Sequence, residues 1–144
     1  MMGKLELELE IEPLAVQSAR FYRAGKGIRS YQPEKITGWK NSVRTMAIYQ
    51  LPANFKMFTR DVPLRLEVEL LFAPLKSMRN AELAGISAGK IVYKTSRGDL
   101  DNYSKALFDA LNKIIWEDDS QIVDYHVVKR YSTTPGIKIS LFNL

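Results

Sequence analysis

A chain of 144 residues with 46% hydrophobic and 26% charged side chains can build one compact domain with a true core, and is too short for two full-sized ones. It has no cysteine, which excludes a disulfide framework and a thiolate metal site and favours an intracellular, cytoplasmic setting. No apolar run reaches the roughly 18 residues of a membrane span, and the acidic, alternating start MMGKLELELE does not fit a signal peptide. A net charge of +5 with pI near 9.4 suggests a polyanionic partner, because Lys and Arg that neutralise phosphates release condensed counterions. Charge alone leaves open a basic protein that binds no nucleic acid.

Residues 5–12, LELELEIE, alternate leucine or isoleucine with glutamate, which predicts a half-buried strand with Glu6, Glu8, Glu10 and Glu12 on its solvated face. Pro13 closes it. Residues 14–34 carry Arg20, Arg23, Lys26 and Arg29, the aromatics Phe21, Tyr22 and Tyr31, and the breakers Gly25, Gly27 and Pro33. They read as a basic, aromatic loop, long enough to be functional or mobile. Over residues 34–50 the spacing of Ile36, Trp39, Val43, Met46, Ala47 and Gln50 predicts a helix.

Residues 64–73 alternate again between Pro63 and Pro74 and predict a second strand. The stretch 75–98 is basic, with Lys76, Arg79, Lys90, Lys94 and Arg97 against Glu82; Ala81 to Ala88 are read as a short helical turn or irregular chain. The clearest helix is predicted over 102–115. Two strands, 122–131 and 136–142, follow, joined by the turn-rich STTPG. The sum is one α+β domain over 1–144, with about four strands in a mixed or antiparallel sheet and two main helices packed on it.

The segment 98–121, GDLDNYSKALFDALNKIIWEDDSQ, holds the densest chemistry. With a helix beginning after Asp101, Tyr103, Leu107, Leu111 and Ile114 form one apolar stripe. Lys105 and Asp109 then lie opposite, with Asp101 one turn before Lys105. Asp99 and Asp101, two apart in extended chain, point to one face. After Trp116, the run Glu117-Asp118-Asp119 brings carboxylates back in a turn. Converging carboxylates repel and raise one another's pKa; a hard divalent cation removes that conflict, and oxygen ligands suit Mg²⁺ or Mn²⁺. Lys105 would add positive charge against a phosphate. A structural reading stands beside this one. Asp101 suits a helix N-cap, Lys105 and Asp109 a surface i,i+4 pair, and Asp118 and Asp119 an ordinary turn.

The run Asp99-Leu100-Asp101-Asn102, then Lys105, Asp109 and Leu111, then Asp118-Asp119 and Gln121, resembles the signature of RusA-type Holliday-junction resolvases. The resemblance is close over about 25 residues, continues into VDYHVVKRY, and elsewhere is one of general order. It implies a homodimeric, Mg²⁺-dependent endonuclease, with Mn²⁺ as a substitute, that makes paired nicks in a four-way DNA junction during recombination and repair; such proteins are often encoded by phages or prophages. Carried over by motif position, Asp99, Asp101 and Asp119 are the metal-binding catalytic acids. Lys105 is the catalytic base or phosphate-contacting lysine, and Asn102, Asp118 and Gln121 orient ligands or shape the turn. Lys76, Arg79, Lys90, Lys94 and Arg97, with Arg20, Arg23, Lys26 and Arg29, are the expected DNA contacts.

His126, the sole histidine, falls on the polar face of a predicted strand and is read as solvated. Trp39 and Trp116 are read as core or dimer anchors. Phe21, Tyr22 and Tyr31 are candidates for wedging junction strands apart. A non-catalytic nucleic-acid-binding module and a metal nuclease for flap DNA or RNA remain the competing functions.

Overall fold

The computed structural model describes residues 3–16, 20–25, 27–31 and 34–144. Its main sheet has four strands, β1 (Lys4–Leu9), β4 (Leu64–Phe72), β5 (Ile122–Tyr131) and β6 (Gly136–Asn143), in the order β1-β6-β4-β5. β6 runs antiparallel to both β1 and β4, whereas β5 runs parallel to β4, so the sheet is mixed.

Period-two patterning fixes which face is core. Leu5, Leu7 and Leu9 of β1, Leu64, Leu66, Val68 and Leu70 of β4, and Ile137, Ile139 and Leu141 of β6 are all buried. They meet Ile36, Trp39, Val43 and Ala47 of α1 (Glu34–Gln50) and Tyr103, Ala106, Leu107, Ala110 and Leu111 of α3 (Leu100–Leu111) in one cluster. The glutamates of β1 stand on the solvated face of an edge strand, as expected. That edge is blunted further: the Glu8 N–H donates to Gln50 Oε1 at 2.9 Å and the Glu8 carbonyl accepts from Gln50 Nε2 at 2.6 Å, so a side chain occupies the backbone groups a foreign strand would use. Both tryptophans are core residues, Trp39 with its Nε1 donating to the Glu12 carbonyl and Trp116 fully buried.

Several boundaries differ from the sequence expectation. Residues 14–34 are not all loop: β2 (Arg20–Ala24) and β3 (Gly27–Tyr31) form an antiparallel hairpin, with Gly25 at φ +62 in its connection. The segment lacks an apolar alternation and so leaves no periodic signal, and its turn uses a left-handed glycine. The first strand stops at Leu9 because its partner β6 begins at Gly136, where a Cβ would lie 2.8 Å from the Leu9 carbonyl oxygen. The stretch 81–88 does form a helix, α2 (Asn80–Ser87).

α3 begins and ends earlier than its apolar stripe suggests. The amides of Asn102 and Tyr103 both donate to the Asp99 carbonyl, at 3.1 and 3.2 Å, which puts Asp99 rather than Asp101 at the N-cap position. After Leu111 the chain turns through Lys113 at φ +68. Ile115 and Trp116 still reach the core, but from a loop bridged to Phe58. No helix among the described residues is long and apolar enough to cross a membrane.

Leu107 is fully buried at the centre of α3. Leu107→Ala is expected to lower unfolding free energy by about 2–5 kcal/mol, read as a reduced urea midpoint with an unchanged slope.

Candidate active site

α3 presents two unlike faces. One is core. The other carries Leu100, Asp101, Ser104, Lys105 and Phe108, which with Asp119, Tyr125 and Val127 line an open hollow of about 490 Å³. The spacing from Asp101 to Lys105 is one helical turn, so both reach the same surface. Tyr125 and Val127 come from alternate positions of β5, and His126 between them faces the opposite, solvated side of the sheet beside Glu67. The Ser104 and Tyr125 hydroxyls share a hydrogen bond of 2.7 Å, and Phe108 packs edge-on against Tyr125 with ring centroids 5.0 Å apart. Burial pushes the Tyr125 phenol upward, opposed by the Ser104 hydrogen bond, so the phenol stays protonated at neutral pH.

Asp119 arrives by a different route. Asp118 caps the single-turn 3₁₀ helix Asp119–Gln121: its carboxylate accepts from the Ser120 amide and hydroxyl, and the Asp118 amide donates to Gln121 Oε1 at 2.9 Å. These are the reciprocal bonds of a capping box. Gln121 is 3% exposed, and its Nε2 donates to the carbonyls of Thr59 and Val62 at 2.7 and 3.1 Å. One buried amide thus ties the turn bearing Asp119 to the 58–62 loop. Asp118 and Gln121 therefore shape the turn, one of the two roles sequence allows them.

Of the three aspartates expected together, Asp101 and Asp119 line the hollow and Asp99 does not. The rule that residues two apart share a face holds for extended chain, but Leu100 already opens the helix, so it no longer applies to Asp99 and Asp101. Among the described residues no three His, Asp or Glu side chains are grouped at metal-holding spacing. The i,i+4 pair of Lys105 with Asp109 is also replaced. Asp109 pairs with Lys40 of α1 at 3.4 Å, and Arg44 donates to the Asp109 and Ala110 carbonyls. This leaves Lys105 exposed at the hollow. Asn102 contributes its carbonyl, which accepts from Val16 N at 3.2 Å and roots the chain leading to the β2–β3 hairpin beside the start of α3.

The expected DNA contacts divide by position. Lys76, Arg79, Lys90 and Arg97 are exposed along the crossover between β4 and α3. Lys94 is partly buried and spends its donors on Ser96 Oγ and the Arg97 carbonyl, both at 2.8 Å, with its ammonium 5.1 Å from the centroid of the Phe72 ring. Arg20, Arg23 and Arg29 lie on the hairpin, whose backbone alone is described, and Lys26 lies outside the described residues, as do the side chains of Phe21, Tyr22 and Tyr31. Ser104, Phe108, Tyr125 and Val127 were not singled out from sequence as site residues; the period-two pattern of β5 carries a signal for the last two, because it puts them on the face turned toward α3.

The family described as Endodeoxyribonuclease RusA matches residues 10–141. The chain is 36% identical over 80 residues to the uncharacterized protein YqaN of Bacillus subtilis (strain 168), a match covering 55% of this chain and 56% of that protein. It is 58% identical over 41 residues to the crossover junction endodeoxyribonuclease RusA of Escherichia coli (strain K12), covering 28% of this chain and 34% of that protein. The enzyme of the same name from Enterobacteria phage 82 matches to the same extent. The matched stretches thus span little more than half of the first relative and about a third of the other two.

Gln121→Leu keeps the volume but leaves the Thr59 and Val62 carbonyls without their donor; a loss of about 1–3 kcal/mol is expected in urea unfolding. Asp118 titrates below the ordinary aspartate value of 3.8, chiefly through its hydrogen bond from the Ser120 side chain and then that from the Ser120 amide. A depressed pKa contributes stability above the unfolded value that is lost as pH falls through the folded one. Melting temperatures of wild type and Asp118→Asn should therefore differ at neutral pH, and the gap should narrow as pH falls below 3.8.

Proposed function

The chain belongs to the RusA endodeoxyribonuclease family, and from that premise we propose that it is a Mg²⁺-dependent endonuclease that resolves four-way DNA junctions by paired nicks. The observation that carries the reading is the meeting of Asp101, Lys105 and Asp119 at one hollow, from two segments that only the fold brings together.

The donor set fits a hard divalent ion. Asp101 and Asp119 both line the hollow, and Mg²⁺ needs only one or two carboxylates besides water and substrate phosphate. Asp99, whose side chain makes no cap hydrogen bond, is the third acid of the motif and the further candidate ligand. A bound Mg²⁺ would polarise the phosphoryl oxygen and lower the pKa of a coordinated water. Lys105 supplies a mobile positive charge one turn from Asp101, suited to a phosphate oxygen whose charge grows during cleavage. Leu100, Phe108 and Val127 give the open hollow an apolar side beside these charges. The exposed cations of the crossover, Lys76, Arg79, Lys90 and Arg97, lie on the connection that leads into α3 and would suit phosphate contacts. A two-fold symmetric dimer would present two such sites to a two-fold symmetric junction and so pair the nicks.

A labelled four-way junction incubated with and without Mg²⁺ and resolved on a denaturing gel tests the reading. Paired nicks are expected with Mg²⁺ and none in chelator, with linear duplex cut far less. Asp101→Asn should lower cleavage by roughly a hundredfold or more while junction binding persists; unchanged cutting would remove Asp101 from the reaction. Salt-sensitive binding that ignores chelator and yields no nick would instead identify a binding module. Preferential cutting of a flap or of RNA would keep the metal chemistry and replace the substrate. Sedimentation at twice the chain mass of 16.5 kDa is the expected result for the dimer.

A further inference from the structure

Between the basic crossover and α3 the chain passes through Ser96, Arg97 and Gly98 before reaching Asp99. All three carbonyls of this passage are held by lysines. Lys94 Nζ donates to the Arg97 carbonyl at 2.8 Å and to Ser96 Oγ at 2.8 Å. Lys129 Nζ, reaching across from β5, donates to the Ser96 carbonyl at 3.1 Å and to the Gly98 carbonyl at 2.5 Å. The Tyr131 hydroxyl lies 3.3 Å from Ser96 Oγ, and the Lys94 amide donates to the Lys129 carbonyl at 3.0 Å. Among the described residues neither lysine forms a salt bridge. Two ammonium groups are thus committed to three successive backbone carbonyls, charge-assisted bonds that are stronger than neutral ones.

Gly98 completes the anchorage. It sits at φ +111, and a Cβ there would run into the Tyr103 ring, so the bend is set by conformation and by packing. The residue that follows this anchor is Asp99, which precedes the first residue of α3 to line the hollow. Its direction depends on the carbonyl before it, and that carbonyl is the one Lys129 grips.

We propose that Lys129, seconded by Lys94, is a positioning residue that fixes the Ser96–Gly98 backbone so that Asp99 can join Asp101 and Asp119 around a divalent cation. This rests on the metal-nuclease reading above. Neither lysine then counts as a DNA contact, although both belong to the basic charge of the chain.

The test uses Mn²⁺ as the probe, followed by isothermal titration on the full chain without DNA, beside junction binding in chelator and a thermal melt. In Lys129→Met the Mn²⁺ dissociation constant should rise about tenfold or more, the order of effect seen when groups that orient metal ligands are removed. Junction affinity in chelator should stay within about twofold, since no phosphate contact is lost. Lys129→Arg, which keeps the charge and the donors, should recover most of the Mn²⁺ affinity. If Lys129→Met does not fold, Lys129→Gln replaces it, with a neutral donor in the same place. Unaltered Mn²⁺ binding in a folded variant overturns the proposal. Weakened junction binding with unaltered Mn²⁺ binding also overturns it and makes Lys129 a phosphate contact. A wild-type chain that takes up no Mn²⁺ overturns the metal reading and this inference together, whereas wild-type uptake with unaltered variants overturns this inference alone.

Discussion

The parallel pairing of β4 with β5 is the constraint on which the candidate site depends. Two parallel neighbours cannot be joined by a tight turn, and the chain must leave one end of the sheet and return to the other. Here that return runs from Ala73 to Gln121 and contains α2, the lysine-held passage, α3 and the capped turn. The crossover cations and the acidic motif therefore lie on one connection, which starts and finishes on adjacent strands. The cations come first, α3 follows across the sheet, and Asp119 is delivered just before β5 begins. Asp101 and Asp119 are thus brought to one hollow although a whole helix separates them in sequence.

The elements that rest on burial were legible from sequence. β4, β5 and β6 lie within a residue of their alternating runs, and α1 coincides with its predicted span, because each hides one face and the period follows. What carries no apolar period was not legible. The sequence of the β2–β3 hairpin does not alternate apolar with polar residues. The end of α3 is set by a left-handed Lys113, while the core pattern continues through Ile115 and Trp116 from a loop, so periodicity overran the helix. The direction of Asp99 depends on whether Leu100 is helical, a shift of one or two residues that patterning does not resolve. Within the site, Asp101, Lys105 and Asp119 were singled out by their match to the family motif, since type and spacing alone suit a cap, a surface pair and a turn as well. Tyr125 and Ser104 were not, since a hydroxyl pair between a strand and a helix is visible only once their contact is known.

Charge is divided along the chain more finely than a net value of +5 conveys. Lys40 and Arg44 fasten α1 to the C-terminal half of α3. Lys94 and Lys129 fasten backbone. Arg65 pairs with Glu67 and Asp124 on the solvated face of the sheet, where such pairs contribute little. Among the described residues Lys76, Arg79, Lys90 and Arg97 stay exposed on the crossover, and Lys35, Lys56, Arg60 and Lys138 stay exposed elsewhere.

Trp116 gives the site an optical reporter of its own. Its indole is fully buried, its Nε1 has no hydrogen-bond partner, and it meets Phe108 edge-on with ring centroids 6.0 Å apart. Phe108 in turn lines the hollow. An indole in dry, apolar surroundings emits at shorter wavelength than a hydrated one, and Trp39, in the first half of α1 and bonded to the Glu12 carbonyl, supplies a second and differently placed signal. Events at the hollow that shift Phe108 reach one fluorophore through a single aromatic contact. Anything that displaces Phe108 on entering the hollow would therefore alter the surroundings of the Trp116 indole, whether or not a bond in DNA is cut.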